Sequence, residues 1–131
     1  MRFFHRKSNR LSSEKEIEKL FAEGKSHFIY PIKLVYARSE SKDTDYKLLV
    51  SVSKRNVKKA VLRNIIKRRL KEAFRLNSEI LRKSVTEKDI SINLAFIYVS
   101  SKLISYKEIE DLVTKQILYL NNSINRPEKE S

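Results

Sequence analysis

Residues 60–74 read AVLRNIIKRRLKEAF, and no other stretch of the chain narrows the choice of fold as far. At about 100° per residue, Leu62, Ile65, Ile66, Leu70, Ala73 and Leu76 gather within an arc of roughly 140°. Arg63, Asn64, Lys67, Arg68, Lys71 and Arg75 occupy roughly the opposite 140°, with Ala60 among them. The spacing predicts a helix from about Val57 to Leu76 that lays its apolar stripe on a core. Arg69 is the misfit, since the same wheel turns it into the stripe. Either its stem runs out to the rim of the core, or a tilt of the helix leaves it at an edge.

The cationic side of this helix is unusual. A merely solvated helix mixes signs, because opposite charges at i,i+4 attract and like charges repel. Arg63, Lys67, Lys71 and Arg75 instead form a same-sign i,i+4 ladder, costing about a few tenths of a kcal/mol per pair. Polyphosphate supplies the missing counter-charge in one reading; a solvated face, a membrane surface or a partner helix are the others. The distribution of charge favours the first. The net charge is +13, and residues 54–75 hold ten basic residues against Glu72 alone. Residues 1–13 add Arg2, Arg6, Lys7 and Arg10 with no acid, so these two segments carry the whole excess. Concentrated in this way it is the electrostatic footprint of a nucleic-acid binder.

Around the basic helix the pattern alternates between layers. Ser13-Glu14-Lys15-Glu16 has capping-box spacing and opens a short helix over about 13–23, with Ile17, Leu20 and Phe21 at helical spacing and Gly24 as its stop. Residues 26–38 are rich in β-branched and aromatic side chains and predict extended structure broken or bent at Pro31, as one bent strand or two short ones. Residues 39–45 are a polar turn, and 46–53 the next strand, with Leu48, Val50 and Val52 on one side. A polar stretch after the basic helix reads as partly helical around Ile80 and Leu81. Residues 90–100 are a strand, and Ser105-Tyr106-Lys107-Glu108 is a second capping box, opening a helix with Ile109, Leu112, Val113, Ile117 and Leu120 as its stripe. The expectation is an α+β sandwich of one sheet with helices packed on it, in the order helix, strands, helix, strand, helix. One domain over residues 1–121 is expected, with 1–12 as a basic arm and 122–131 as a polar tail.

Several chemistries are excluded or disfavoured. With no cysteine there is no disulfide, thiolate metal site or thiol nucleophile. No apolar run approaches the roughly 20 residues that span a bilayer, and the N-terminal ten residues lack the apolar stretch of a secretory signal, so a cytoplasmic location and no membrane partner are expected. Gly24 is the only glycine, which rules out a glycine-rich phosphate loop. His5 and His27 have no partner at metal-ligand spacing and read as surface or packing residues. Asp43/Asp45 and Glu108/Asp111 sit in a turn and at a helix start, where capping explains them. No catalytic group and no metal site is expected in the protein itself.

The run A-V-L-R-N-I-I-K-R-R-L-K-E-A-F resembles the signature of the bacterial ribonuclease P protein subunit, whose central helix carries A-x-x-R-N-R-x-K-R followed by basic residues. Arg10-Leu11, the short helix ending in Phe21 and Gly24, Val50-Ser51-Val52-Ser53-Lys54-Arg55 before the basic helix, and Ser105-Tyr106 before the last one extend the likeness over most of the chain. The departures are Ile65 for the second Arg of the R-N-R triplet, Lys71 for a following Arg, Lys58 for the small glycine before the helix, and Ile17 for an aromatic. The resemblance implies an α+β two-layer sandwich like the second domain of ribosomal protein S5, in the order α-β-β-β-α-β-α, with a left-handed crossover at the basic helix. It implies a protein that assists an RNA catalyst using Mg2+ in removing the 5′ leader of precursor tRNA, paired 1:1 with the ribonuclease P RNA. RNA contact is then expected from Lys54, Arg55, Lys58, Lys59, Arg63, Asn64, Lys67, Arg68, Lys71 and Arg75. A leader cleft between the first helix and the sheet is expected from Ile17, Phe21, Lys33 and Tyr36, with Tyr30 or Phe28 as further candidates.

For Phe21 and Tyr36 plain core packing remains the alternative. For the whole chain, two rivals stand beside this reading: another structured-RNA- or ribosome-associated protein of the same fold, and a DNA-binding domain using the basic helix in the major groove. The second ranks last, because a strand rather than a packed helix precedes the basic helix.

Overall fold

Four segments with period-two alternation pair into one sheet, and the chain's amphipathic helices cover its two faces unequally. A computed structural model describes residues 9–40 and 45–126. Arg2, His5, Arg6, Lys7, Asp43 and the end of the polar tail lie outside the described residues. The elements are α1 (Glu14–Glu23), β1 (Lys25–Ile29), β2 (Ile32–Arg38), β3 (Tyr46–Val52), α2 (Ala60–Asn77), α3 (Glu79–Lys88), β4 (Ile92–Tyr98) and α4 (Tyr106–Asn125). In space the strands run β1-β2-β4-β3. β1 and β2 form an antiparallel hairpin around Tyr30-Pro31, β4 lies antiparallel to β2, and β3 lies parallel to β4. The extended stretch broken at Pro31 is therefore two strands, and the α2–α3 segment is the crossover between the parallel pair.

Residue parity assigns the faces. Ile32, Leu34 and Tyr36 of β2 point the same way as Leu48, Val50 and Val52 of β3 and Leu94, Phe96 and Tyr98 of β4, into the main core with α2, α3 and α4. α2 contributes Ile66, Leu70, Ala73 and Phe74 to it, and Phe74 packs edge-on against Tyr46 and Phe96. The opposite face holds a smaller cluster, in which Leu11 and Leu20 cover Val35 and Ala95, with Ile17, Ala37, Leu49 and Ile97 around them.

Three boundaries differ from the sequence reading. The element order has one more helix than expected, α-β-β-β-α-α-β-α, because the polar stretch after α2 is helical throughout. Its buried face is only Leu81, Ser84 and Val85, and the Ser84 hydroxyl bonds the buried Asn121 of α4. A stripe one-third polar gives weak periodicity. α4 runs to Asn125, four residues beyond the expected domain end at 121, because Asn121 and Asn125 both reach Ser84. α2 begins at Ala60 rather than Val57, which is buried in the preceding turn. Leu76, placed in the apolar stripe by the wheel, is 51% exposed, and Phe74 takes the buried position instead.

The single glycine acts through space. Gly24 has an ordinary φ of −73°, so it is no left-handed cap. A Cβ there would stand 2.4 Å from the Leu20 carbonyl oxygen and 3.0 Å from the Tyr36 carbonyl oxygen, so only glycine lets α1 turn directly into β1.

Candidate nucleic-acid interface

One end of the sheet collects the β1–β2 turn, the residues 53–59 that lead into α2, and the start of the β4–α4 loop. The Val99 amide donates to the Pro31 carbonyl at 2.9 Å, and Asn56 Nδ2 donates to the Val99 carbonyl at 2.8 Å. This clamp holds Lys54, Arg55, Lys58 and Lys59, all exposed, at the N-terminal end of α2. That end has no acid in its first turn and no side-chain cap from Lys59, whereas α1 and α4 are capped by Ser13 and Ser105 and carry glutamates. Uncapped N–H groups and the positive end of the helix dipole add to the lysine charge there.

Along α2, Asn64, Arg68 and Lys71 are exposed and Lys67 is half-buried, on the side turned away from the sheet. Two members of the expected ladder are otherwise engaged. Arg63 folds back, its Nη1 donating to the carbonyls of Val57 and Lys58 at 2.9 Å each, so it braces the loop that presents Lys58 and Lys59. Arg75 is paired with Glu72, Nε to Oε1 at 3.0 Å, and this hydrogen bond holds its guanidinium above the usual arginine range. The ladder therefore does have one acid beside it, and its unpaired stretch is shorter than the sequence suggested. Arg69 resolves as a stem running to the rim, with Nη1 donating to the Ile104 carbonyl at 2.8 Å. It is anchored to the α4 approach and does not replace a cation at Ile65, which is half-buried.

The expected leader cleft is gathered in part. α1 covers one end of its sheet face, held by Lys19–Glu40 at 3.1 Å and Lys47–Glu16 at 3.6 Å. The next row on that face, Phe28–Lys33–Ile97–Ser51, lies across all four strands, and among the described residues no helix lies over it. Lys33 is exposed; Ile97 and Ser51 are half-buried. Ile17 and Phe21 share the α1 stripe with Leu20. Ile17 packs on the small cluster, while Phe21 stays 46% exposed, so core packing does not account for it. Tyr36 does not belong to this group. It points through the opposite face, packs against Tyr119 and donates to Ser123 Oγ at 3.5 Å, and burial pushes its phenol up. An even-numbered residue cannot share a face with Lys33 on an unbroken strand. Of the further candidates Phe28 and Tyr30, at 54% and 65% exposure, Phe28 stands directly across the ladder from Lys33 and Tyr30 lies edge-on to Phe28. His27 is a packing residue, stacked on Tyr119 with centroids 3.6 Å apart.

Among the described residues no group of three or more His, Asp or Glu side chains comes together to hold a metal ion, and no helix is long and apolar enough to cross a membrane.

Comparison with known proteins gives the same direction. A family model described as Ribonuclease P matches residues 5–118. Relatives from two Porphyromonas gingivalis strains, each called ribonuclease P protein component, are 35% and 34% identical over 119 residues, covering 90% of this chain and 87% of theirs. The RNase P protein of Staphylococcus aureus has a similar fold, with a TM-score of 0.71 at 20% identity, covering 91% of this chain and all of that one. That of Thermotoga maritima gives 0.57 at 21% identity, covering 91% and 97%.

Proposed function

This chain belongs to the ribonuclease P protein family, so it is the protein subunit of a tRNA-processing endoribonuclease and a partner of the ribonuclease P RNA. From that premise we propose that the cationic side of α2 and the residue 54–59 loop bind the catalytic RNA, while the sheet row beside α1 receives the 5′ leader of precursor tRNA. The observation that carries this is the position of the loop. It stands at the end of the sheet where the α2 side and the row Phe28–Lys33–Ile97–Ser51 meet, so one strip of Lys54, Arg55, Lys58 and Lys59 borders both surfaces.

The chemistry suits the two ligands. A structured RNA presents phosphates that lysines and arginines neutralise with release of counter-ions. An unpaired leader presents open bases, which stack on aromatic rings with little sequence preference, while a basic rim follows the backbone. We place the Mg2+ of the reaction on the RNA and expect one protein per RNA. The test is reconstitution: added to a cognate ribonuclease P RNA at low Mg2+, the protein should restore leader removal from precursor tRNA. A folded protein that gives no stimulation would overturn this assignment of the surfaces.

A further inference from the structure

Of the exposed apolar side chains, most stand singly, and isolated ones of that kind are ordinary on a protein surface. Phe28 and Tyr30 are different. They lie two residues apart at the tip of the β1–β2 hairpin, their ring centroids are 6.1 Å apart, and their planes are inclined by 79°. Rings set in this way form a corner, in which a flat group stacked on one ring meets the edge of the other. Directly across the ladder from Phe28 is Lys33, exposed on the same face.

The corner is also held still. Gln116 of α4 is fully buried, and its Nε2 donates to the carbonyls of His27 at 3.1 Å and Ile32 at 2.9 Å, on either side of the turn. His27 is stacked on Tyr119 from behind. The backbone that carries Phe28 and Tyr30 is thus fastened to the core from the opposite face, while the rings face solvent. Two exposed rings on a rigid hairpin beside a cation, with the basic strip of residues 54–59 at the same end of the sheet, match an unpaired nucleotide in both shape and charge.

We infer that the Phe28–Tyr30 corner with Lys33 is a nucleotide-holding station on the hairpin, stacking one unpaired base of the leader on one ring against the edge of the other and taking its phosphate on Lys33. The station rests on the leader-binding role proposed for the sheet row and extends it to the hairpin tip of the edge strand β1. It would make this protein's hold on a leader depend on two aromatic groups, Phe21 on α1 and the hairpin corner at the β1 end of the row.

The test uses the reconstituted holoenzyme and compares precursor tRNA with mature tRNA that lacks the leader. Phe28→Ala should lower the affinity for the precursor about fivefold or more, the low end of base–aromatic stacking, and leave mature tRNA unaffected. Tyr30→Ala should act in the same direction. The chain has no tryptophan, so Phe28→Trp installs a single reporter that should restore affinity and be quenched by the precursor but not by mature tRNA. Phe21→Ala separates the two ideas. If it weakens precursor binding while Phe28→Ala and Tyr30→Ala do not, the station is wrong and the leader cleft stands. If none of the three discriminates precursor from mature tRNA, both are wrong. Loss of self-association in Phe28→Ala with leader discrimination intact would assign the corner to contact between copies and overturn the station as well.

Discussion

Replacing Gln116 by leucine should unfasten the hairpin from α4 and cost about 3 kcal/mol. The figure follows from three hydrogen bonds. Nε2 donates to the carbonyls of His27 and Ile32, which leaves Oε1 as an acceptor, so the partner His27 Nδ1, 2.8 Å away, carries the proton. Each bond contributes about 1 kcal/mol net, and a buried group left without its partner costs about 1–3 kcal/mol. Leucine has nearly the same volume, so little cavity forms and its burial offsets part of the loss. At about 2.1 cal/mol/K per residue, the entropy of unfolding for 131 residues is roughly 0.28 kcal/mol/K. A loss of about 3 kcal/mol then lowers Tm by about 11 °C. Calorimetry of the free protein reads this directly. Hydrogen exchange should show the amides of residues 27–32 losing protection more than those of α2. A drop under about 4 °C, corresponding to roughly 1 kcal/mol, would refute the claim that these bonds fasten α4 to the hairpin.

Other outcomes follow from the same structure. Lys67→Ala and Lys71→Ala should each weaken binding to the ribonuclease P RNA and reduce the slope of log affinity against log salt by about 0.7–0.9 for each phosphate no longer neutralised; an unchanged slope would make them merely solvated. Arg63→Ala should instead destabilise the free protein by about 1.5–3 kcal/mol, since its charged hydrogen bonds brace residues 57 and 58, and Arg63→Ala with wild-type Tm would contradict that role. Sulfate or phosphate should raise the Tm of the free protein, by about 2.7 kcal/mol of stability at a hundredfold excess over Kd, and a Tm indifferent to these anions would count against an anion-binding α2. The Tyr106 hydroxyl is buried with no hydrogen-bond partner among the described residues, so Tyr106→Phe should be neutral or stabilising by about 1 kcal/mol. Burial pushes the phenols of Tyr106, Tyr98 and Tyr36 above their ordinary value of 10.0. A raised folded-state value means stability that is complete below about pH 10 and lost as pH climbs through the folded value. Urea melts should show that alkaline loss, and a shallower one in Tyr106→Phe.

Much of the fold was legible because the relevant information is local. The apolar stripe of α2, the capping serines of α1 and α4, and the alternation in β3 all lie within one element. A single period therefore reveals them. Even the misplacement of Tyr36 was readable in principle, since it differs in parity from Lys33 on one strand. Helix α3 was not, because its buried face includes Ser84, whose burial is acceptable only where Asn121 and Asn125 of α4 meet it. Gly24 looked like a helix stop, but what requires glycine is the closeness of two carbonyls, one of them from β2.

The candidate interface divides along the same line. Sequence by itself determined that a cationic helix exists and where its charge is concentrated, since charge and residue type are properties of the chain. Only the tertiary structure decided which cations are left for a ligand. Arg63, Arg69 and Arg75 have the same charge as Arg68, but each has a carbonyl or carboxylate within reach and Arg68 faces solvent. The same holds for the aromatics. Tyr36 and Phe28 are alike in composition, and which one can meet a base depends on the sheet face it occupies and on how short a helix covers that face.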